Sequence, residues 1–175
     1  ARIPTEVEYA SEFRYRNPLI ADNTLVIAIS QSGETADTLA AAREAKIKKA
    51  KVLAVCNVLG SILLRETYGV IYTHAGPEIG VASTKAFTAQ LGVLYLLALY
   101  LAGLKETLNP GKIADLLEIL KKCPRLQEKF LKDQNKVKAV AHKHSHFGSF
   151  LFLGRSINYP MALEGALKLK EISYI

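Results

Sequence analysis

Cysteine is scarce in this sequence, which has only Cys56 and Cys123 among its 175 residues. Two cysteines so far apart do not make a disulfide framework, so we expect a reducing compartment and a cytoplasmic protein. The first residues also lack the apolar core of a signal peptide, because Glu6, Glu8 and Glu12 fall there. We therefore predict no secretion signal.

Aromatic residues are rare among the basic ones, as in residues 43–51 and 121–143. Basic helices without interleaved aromatics usually form solvated faces rather than nucleic-acid-binding surfaces. We therefore predict no nucleic-acid partner despite a net charge of +7. We expect the surplus positive charge to bind a small anionic substrate instead.

Charged residues are absent from one long segment, residues 86–104. Its length approaches the roughly 20 residues that span a bilayer. However, Thr88, Gln90 and Gly92 interrupt it, and the chain has no second such segment. A helix buried between a sheet and a partner subunit gives the same pattern. We expect that buried helix and no membrane association.

Short apolar runs alternate with helical segments along the first part of the chain. Residues 25–29 are continuously apolar and β-branched, as in a strand buried on both faces. Further strands are predicted at residues 52–55 and 70–72, and helices at residues 35–49 and 62–67. This alternation predicts an α/β fold, a three-layer arrangement of a parallel sheet flanked by helices.

The second part of the chain begins after Asn109, Pro110 and Gly111. We predict two amphipathic helices broken by Pro124, then a strand at residues 149–154 and a final helix. One strand and one helix do not form a domain alone, so the fold is expected to be incomplete. The expected parts are most of a first subdomain, a helical linker and the start of a second subdomain: residues 1–108, 109–147 and 148–175. The first of these parts begins with a polar, partly β-like segment, residues 5–15.

The first candidate site is a polar loop between a buried strand and a helix, formed by Ser30, Gln31, Ser32, Gly33, Glu34 and Thr35. Ligands of open α/β sheets bind at this edge, where a helix N-terminus offers N–H groups to a phosphate. Three hydroxyls add donors, and the glycine lets the backbone approach an anion. The loop has neither a Walker motif nor a dinucleotide-binding glycine pattern. Ordinary helix capping by Ser and Thr remains the alternative.

A second candidate lies near the C-terminus, where Glu164, Lys168 and Glu171 share one helix face. A carboxylate beside an ammonium can act as a proton-transfer base. On the residues alone, a surface ladder of salt bridges explains them more simply. In a third candidate, Val81 and Ser83 flank a ligand, although Ser83 is equally a helix cap.

Three histidines alternate at positions 142, 144 and 146. No carboxylate or cysteine lies near them in the sequence, so we expect a solvated loop and no metal site.

Four segments together resemble one family, the glutamine–fructose-6-phosphate aminotransferases or glucosamine-6-phosphate synthases. They are residues 10–16, SQSGETADT from Ser30, EIGVASTKAFT from Glu78 and ALEGALKLKEISYI from Ala162. SQSGET alone marks the wider class of sugar isomerase (SIS) domains, whereas the last two segments are more specific to the synthases.

The resemblance implies an SIS-type, flavodoxin-like fold and an isomerizing transaminase that needs no cofactor. Such enzymes make glucosamine 6-phosphate and glutamate from fructose 6-phosphate and glutamine, with a separate glutaminase domain, as homodimers. By resemblance, the hexose phosphate is held at its phosphate by Ser30, Gln31, Ser32 and Thr35. Val81 and Ser83 line the sugar. Glu171 matches the base that moves a proton between C1 and C2, Lys168 contacts the sugar, and Glu164 shares their helix.

The resemblance thereby replaces the salt-bridge interpretation of the C-terminal helix. Departures from the family are equally clear: the glutaminase domain is absent, as are the phosphate-binding Cys-Gly-Thr-Ser loop expected before Ile3 and the ring-opening His and Schiff-base Lys expected after Ile175. We therefore expect no complete synthase reaction from these residues alone. Two alternatives stay open, a non-catalytic sugar-phosphate-binding SIS module and another SIS-type isomerase or deaminase.

Overall fold

The computed structural model describes all residues from Ala1 to Ile175, which fold as two compact units. The first unit comprises residues 1–79 and 83–114, and the second comprises residues 80–82 and 115–175. The elements follow in the order α1 (Ala10–Tyr15), β1 (Leu25–Ser30), α2 (Ala36–Ile47), β2 (Lys51–Cys56), α3 (Ile62–Glu66), β3 (Gly69–Tyr72), α4 (Lys85–Leu104), α5 (Pro110–Lys132), α6 (Asn135–His144) and α7 (Asn158–Ser173).

The first unit is built on a three-stranded parallel sheet with the order β1-β2-β3. Ser30 pairs with Cys56, and Cys56 pairs with Tyr72, so all three strands end at the same level. This confirms the predicted α/β fold with helices flanking a parallel sheet. It also confirms the three strands, each within two residues of its predicted bounds.

Helix α2 covers the sheet through one narrow face made of Leu39, Ala42 and Ala45, all of which are buried. Two alanines at this spacing let the helix approach the strands closely. Helix α3 packs against α2 and β2. Because the strand order advances in one direction, right-handed crossovers put both connecting helices on the same face of the sheet. The core between them also contains Val52, Ala54 and Leu63.

Helix α4 is only partly covered within this chain. Ala86, Leu99 and Ala102 are buried, whereas Tyr100 is 65% exposed and Leu104 is 63% exposed. It is the one helix whose length and apolar composition would allow it to cross a membrane. Core helices of soluble proteins have the same composition. Helix α4 is therefore buried on one side only within these 175 residues, whereas burial on both sides was expected.

The break predicted at Pro124 is wrong. Helix α5 continues through Pro124, and the helical path ends only at Lys132. A proline removes one main-chain hydrogen bond, and a long helix with intact turns on both sides can absorb that loss. The expected histidine loop is also partly wrong, because His142 and His144 lie in the last turn of α6.

Two segments predicted to be β-like are not strands. Residues 149–154 form no ladder, because no neighbouring strand of the second unit offers hydrogen bonds to them. The segment instead packs Phe152 against α7, where a Cβ on Gly165 would lie 3.0 Å from its ring. Residues 5–15 likewise contain the short helix α1.

Candidate phosphate and proton-transfer sites

The cradle loop (residues 30–35) joins β1 to α2 at the carboxyl edge of the sheet. Its first residue, Ser30, ends β1 and is buried, whereas Gln31 and Ser32 are half-buried and Thr35 is exposed. The loop therefore runs from the buried end of β1 to an exposed Thr35, and only Gly33 in its middle is buried again. This is the edge at which open parallel sheets bind their ligands.

The two serine hydroxyls of the cradle loop are held by its own backbone. Ser30 Oγ accepts a hydrogen bond from Gly33 N at 2.9 Å, and Ser32 Oγ accepts one from Glu34 N at 3.1 Å. In both bonds the serine oxygen is the acceptor, so each O–H proton is available to donate to a bound anion. The backbone thus fixes both oxygens and leaves both O–H protons free to donate.

Thr35 occupies the N-cap position of α2, but its side chain makes no capping hydrogen bond. The first main-chain bond into the helix runs from Leu39 N to Thr35 O. The N–H groups of the first turn therefore have no acceptor within the helix. Free N–H groups, a free threonine hydroxyl and the positive end of the helix dipole favour anion binding over simple capping at this position.

Gly33 is required for two physical reasons. Its φ of +69° lies in the left-handed region that other residues rarely adopt. A Cβ placed there would overlap Ser61 Oγ and lie 2.9 Å from Cys56 Sγ. The sequence analysis predicted that the backbone at Gly33 approaches an anion closely. The structure shows that the same backbone also approaches the buried side chains of Ser61 and Cys56 closely.

The cradle loop also caps the next helix. Leu63 N donates to Gly33 O at 3.1 Å, and Ile62 N donates to Glu34 Oε1 at 2.8 Å. Ser61 occupies the N-cap position of α3, but its hydroxyl makes no capping bond. The cap comes from Glu34, which lies 28 residues away in the sequence and could not be identified from local spacing.

The segment after β3 holds the two other predicted sugar contacts. Val81 is 97% exposed, and Ser83 is half-buried two residues before α4. Glu78 Oε1 accepts hydrogen bonds from Thr84 N and Ala86 N, both at 2.9 Å. These N–H groups, that of Ala86 first, lower the pKa of the Glu78 carboxyl below its usual value. Glu78 therefore caps α4, a role that the sequence analysis gave to Ser83 as the alternative to a sugar contact.

In the second unit, α7 brings together the three ionisable residues predicted there. Lys168 Nζ lies 2.6 Å from Glu171 Oε2 and 3.6 Å from Glu164 Oε1. The hydrogen bond to Glu171 is the main reason that the pKa of Lys168 is raised above its usual value. With 23% of its side chain exposed, Lys168 is a half-buried residue whose ammonium is paired with Glu171.

The predicted residues thus form separate groups along the chain. Ser30, Gln31, Ser32 and Thr35 share the cradle loop of the first unit, and Ser83 follows in the same unit. Lys168 and Glu171 lie on α7 in the second unit. The sequence analysis did not predict that Glu34 and Glu78 cap helices, and it missed Asn57, although Asn57 carried a usable signal as the first residue after a central strand.

Comparisons with known proteins place the chain in a family. Residues 1–100 match the SIS domain family. The chain is 56% identical to glutamine–fructose-6-phosphate aminotransferase [isomerizing] of Clostridium tetani over 100% of its own length, and 55% identical to the Chlorobaculum tepidum protein of the same name. It spans 29% and 28% of the length of these two relatives.

A solved structure agrees with the sequence relatives. The C-terminal domain of glucosamine-fructose-6-phosphate aminotransferase from Francisella tularensis superposes with a TM-score of 0.94 at 46% identity. The match covers 99% of this chain and 49% of that chain. With more than half of its residues matched by the family, the chain belongs to the SIS domain family.

Proposed function

We propose that this chain is the sugar-phosphate isomerase part of an enzyme that converts fructose 6-phosphate and glutamine into glucosamine 6-phosphate and glutamate. The observation that carries the proposal is the half-buried pair of Lys168 and Glu171 on α7. A module that only binds sugar phosphates has no need of a base on this helix. The names of the relatives from Clostridium tetani and Chlorobaculum tepidum support the same activity.

The phosphate of the substrate is assigned to the cradle loop. The oriented hydroxyls of Ser30 and Ser32 donate to its oxygens, together with Thr35 and the first-turn N–H groups of α2. Gln31 contributes from the same loop. Val81 and Ser83 are assigned to the sugar rather than the phosphate, which follows the family resemblance of the segment that carries them.

The proton-transfer step is assigned to Glu171. Its carboxylate takes a proton from C1 of the open-chain sugar and returns it to C2. The hydroxyl on C1 gives up its proton and the carbonyl oxygen on C2 gains one, so the ketose and aldose forms interconvert without net loss of a proton. Lys168 stays an ammonium because its pKa is raised. Its positive charge stabilises negative charge that develops on the sugar oxygens during the transfer. Glu164, 3.6 Å from Lys168, helps to orient that ammonium.

The rest of the enzyme is part of the same proposal. We assign residues 1–108 to most of a first SIS subdomain, residues 109–147 to a helical linker and residues 148–175 to the start of a second subdomain. A glutaminase domain supplies ammonia in the full-length protein, which acts in the cytoplasm as a homodimer. The apolar face of α4 that this chain leaves uncovered is then a core surface, covered by other parts of that assembly.

The decisive experiment uses Glu171→Gln in the full-length protein. Exchange of the C1 proton of fructose 6-phosphate with deuterated water, followed by NMR, should fall by at least about 100-fold. Binding of fructose 6-phosphate, measured by calorimetry, should stay nearly unchanged. Glu118→Gln, the same change on the exposed surface of α5, serves as the control. Exchange that survives in Glu171→Gln would favour the non-catalytic module, and an exchange at other carbons would favour a different SIS isomerase or deaminase.

A further inference from the structure

Asn57 links three loops at the carboxyl edge of the sheet. It is half-buried and directly follows β2, the central strand. Its Oδ1 accepts hydrogen bonds from Thr73 Oγ1 at 2.9 Å and from Ala75 N at 2.8 Å. Its Nδ2 donates to Gly76 O at 2.7 Å. One side chain therefore fixes the first residues after β3, from which the chain continues toward Ser83.

The backbone of the same residue holds the cradle loop. Asn57 N donates to Gln31 O at 3.2 Å, and Cys56 Sγ donates weakly to the same carbonyl at 3.6 Å. A trans peptide directs its C=O and its N–H to opposite sides. Since the carbonyl of Gln31 is held toward Asn57, the N–H of Ser32 is directed away from it. That N–H group is thereby oriented as a further donor of the cradle loop.

We infer that Asn57 is a positioning residue that sets the cradle loop and the segment after β3 in one fixed arrangement. The inference rests on the proposed function, because it concerns how the phosphate and sugar contacts of that site are held together. Asn57 itself needs no contact with the substrate. Its side chain bonds residues 73, 75 and 76, and its main-chain N–H bonds residue 31, all within the first unit.

The expected consequence is a specific kinetic signature. Without its side chain, residue 57 loses its anchor to the segment after β3, and the cradle loop, which its main-chain N–H still holds, should shift with it. Phosphate contacts act equally on bound substrate and on the transition state, so a shifted cradle loop raises KM and leaves kcat nearly unchanged. A merely structural role would instead lower the amount of folded enzyme, and it would leave the KM of the remaining folded enzyme at the wild-type value. The split between KM and kcat therefore separates positioning from stability.

The test compares Asn57→Ala and Thr73→Val in the full-length protein with Asn17→Ala as the matched control. Asn17 also joins two segments through its side chain, accepting from Lys48 Nζ at 2.6 Å just beyond the opposite end of α2. We expect Asn57→Ala to raise the KM for fructose 6-phosphate and the inhibition constant of inorganic phosphate roughly tenfold, or about 1.4 kcal/mol. Thr73→Val removes one bond and should raise both constants by a smaller factor. Asn17→Ala should change neither.

Each outcome decides the inference. Wild-type constants in folded Asn57→Ala would overturn it, and if that variant does not fold, wild-type constants in Thr73→Val would do so. If wild type binds fructose 6-phosphate and inorganic phosphate, and the variants show the same constants as wild type, only the role of Asn57 is refuted. A wild-type protein that binds neither ligand refutes the proposed function and this inference together.

Discussion

Lys168 donates to Glu171 at 2.6 Å across one turn of α7, a shorter contact than its 3.6 Å approach to Glu164. Lys168 therefore pairs mainly with Glu171, the carboxylate that we assign as the base. Lys168→Met keeps the length of the side chain and removes its charge. We expect isomerisation to fall roughly tenfold or more, measured as deuterium exchange at C1. Lys168→Arg should recover part of the lost rate, and equal losses in both variants would argue against a role for the charge.

The same pair predicts a stability change at high pH. The pKa of Lys168 is raised in the folded protein above its ordinary value of 10.5. Its contribution to stability is thus fully present below pH 10.5 and is lost as the pH rises through the higher folded value. The difference in melting temperature between wild type and Lys168→Met should be constant from pH 7 to about pH 10 and shrink above it. A difference that stays constant up to pH 12 would contradict this expectation.

Gly33 offers a test with an internal control. Gly33→Ala combines an unfavourable positive φ with overlap against Ser61 and Cys56. Gly60 has a similar φ of +74° but open space around its Cβ position. We expect Gly60→Ala to cost about 1 kcal/mol in the free energy of unfolding and Gly33→Ala at least about 3 kcal/mol. Urea unfolding measures both free energies. Equal losses in the two variants would show that Ser61 and Cys56 move aside easily to accommodate the new Cβ.

Glu34 is expected to matter through α3 rather than through the ligand. Glu34→Ala removes the acceptor for Ile62 N and should lower the free energy of unfolding by about 1 kcal/mol. Glu34→Gln keeps an oxygen acceptor and should recover most of that loss. Chemical denaturation of the two variants distinguishes them. If glutamine and alanine destabilise the protein equally, the charge of Glu34 and not its hydrogen bond stabilises the helix.

Acid should release the cap on α4. The pKa of Glu78 is lowered below its ordinary value of 4.5 by the N–H groups of Ala86 and Thr84. A carboxyl group with a lowered folded pKa contributes stability above its unfolded pKa, and this is lost as the pH falls through the folded value. The melting temperature of Glu78→Gln should therefore lie below that of wild type at pH 7 and approach it below pH 4.5. A gap that does not narrow in acid would refute the assigned cause.

The strands and the cradle loop could be predicted because their signals are local. A continuous apolar run such as residues 25–29, followed by a polar loop with glycine, specifies a buried strand and its end without reference to distant residues. The capping role of Glu34 and the contacts of Asn57 were missed because each residue acts on partners between 16 and 28 residues away. Such contacts exist only once the sheet has brought its loops to one edge.

The wrong predictions share a related cause. Residues 149–154 have the composition of a strand, but a strand is defined by the neighbour to which it bonds. Pro124 is a strong local breaker, yet its effect depends on how much helix surrounds it. In both cases the local pattern was identified correctly. The structure depended instead on a neighbouring strand or on the surrounding helix, and periodicity reports neither.

The unpaired segment at residues 149–154 has a practical consequence for the handling of this chain. Leu151 is 91% exposed and Leu153 is 89% exposed, and the backbone beside them has no ladder partner. Such a segment is a template onto which a second chain can add in the manner of an amyloid edge. Residues 1–175 produced by themselves should accordingly self-associate as their concentration rises, and a charged residue at position 151 or 153 should improve solubility without disturbing the sheet of the first unit.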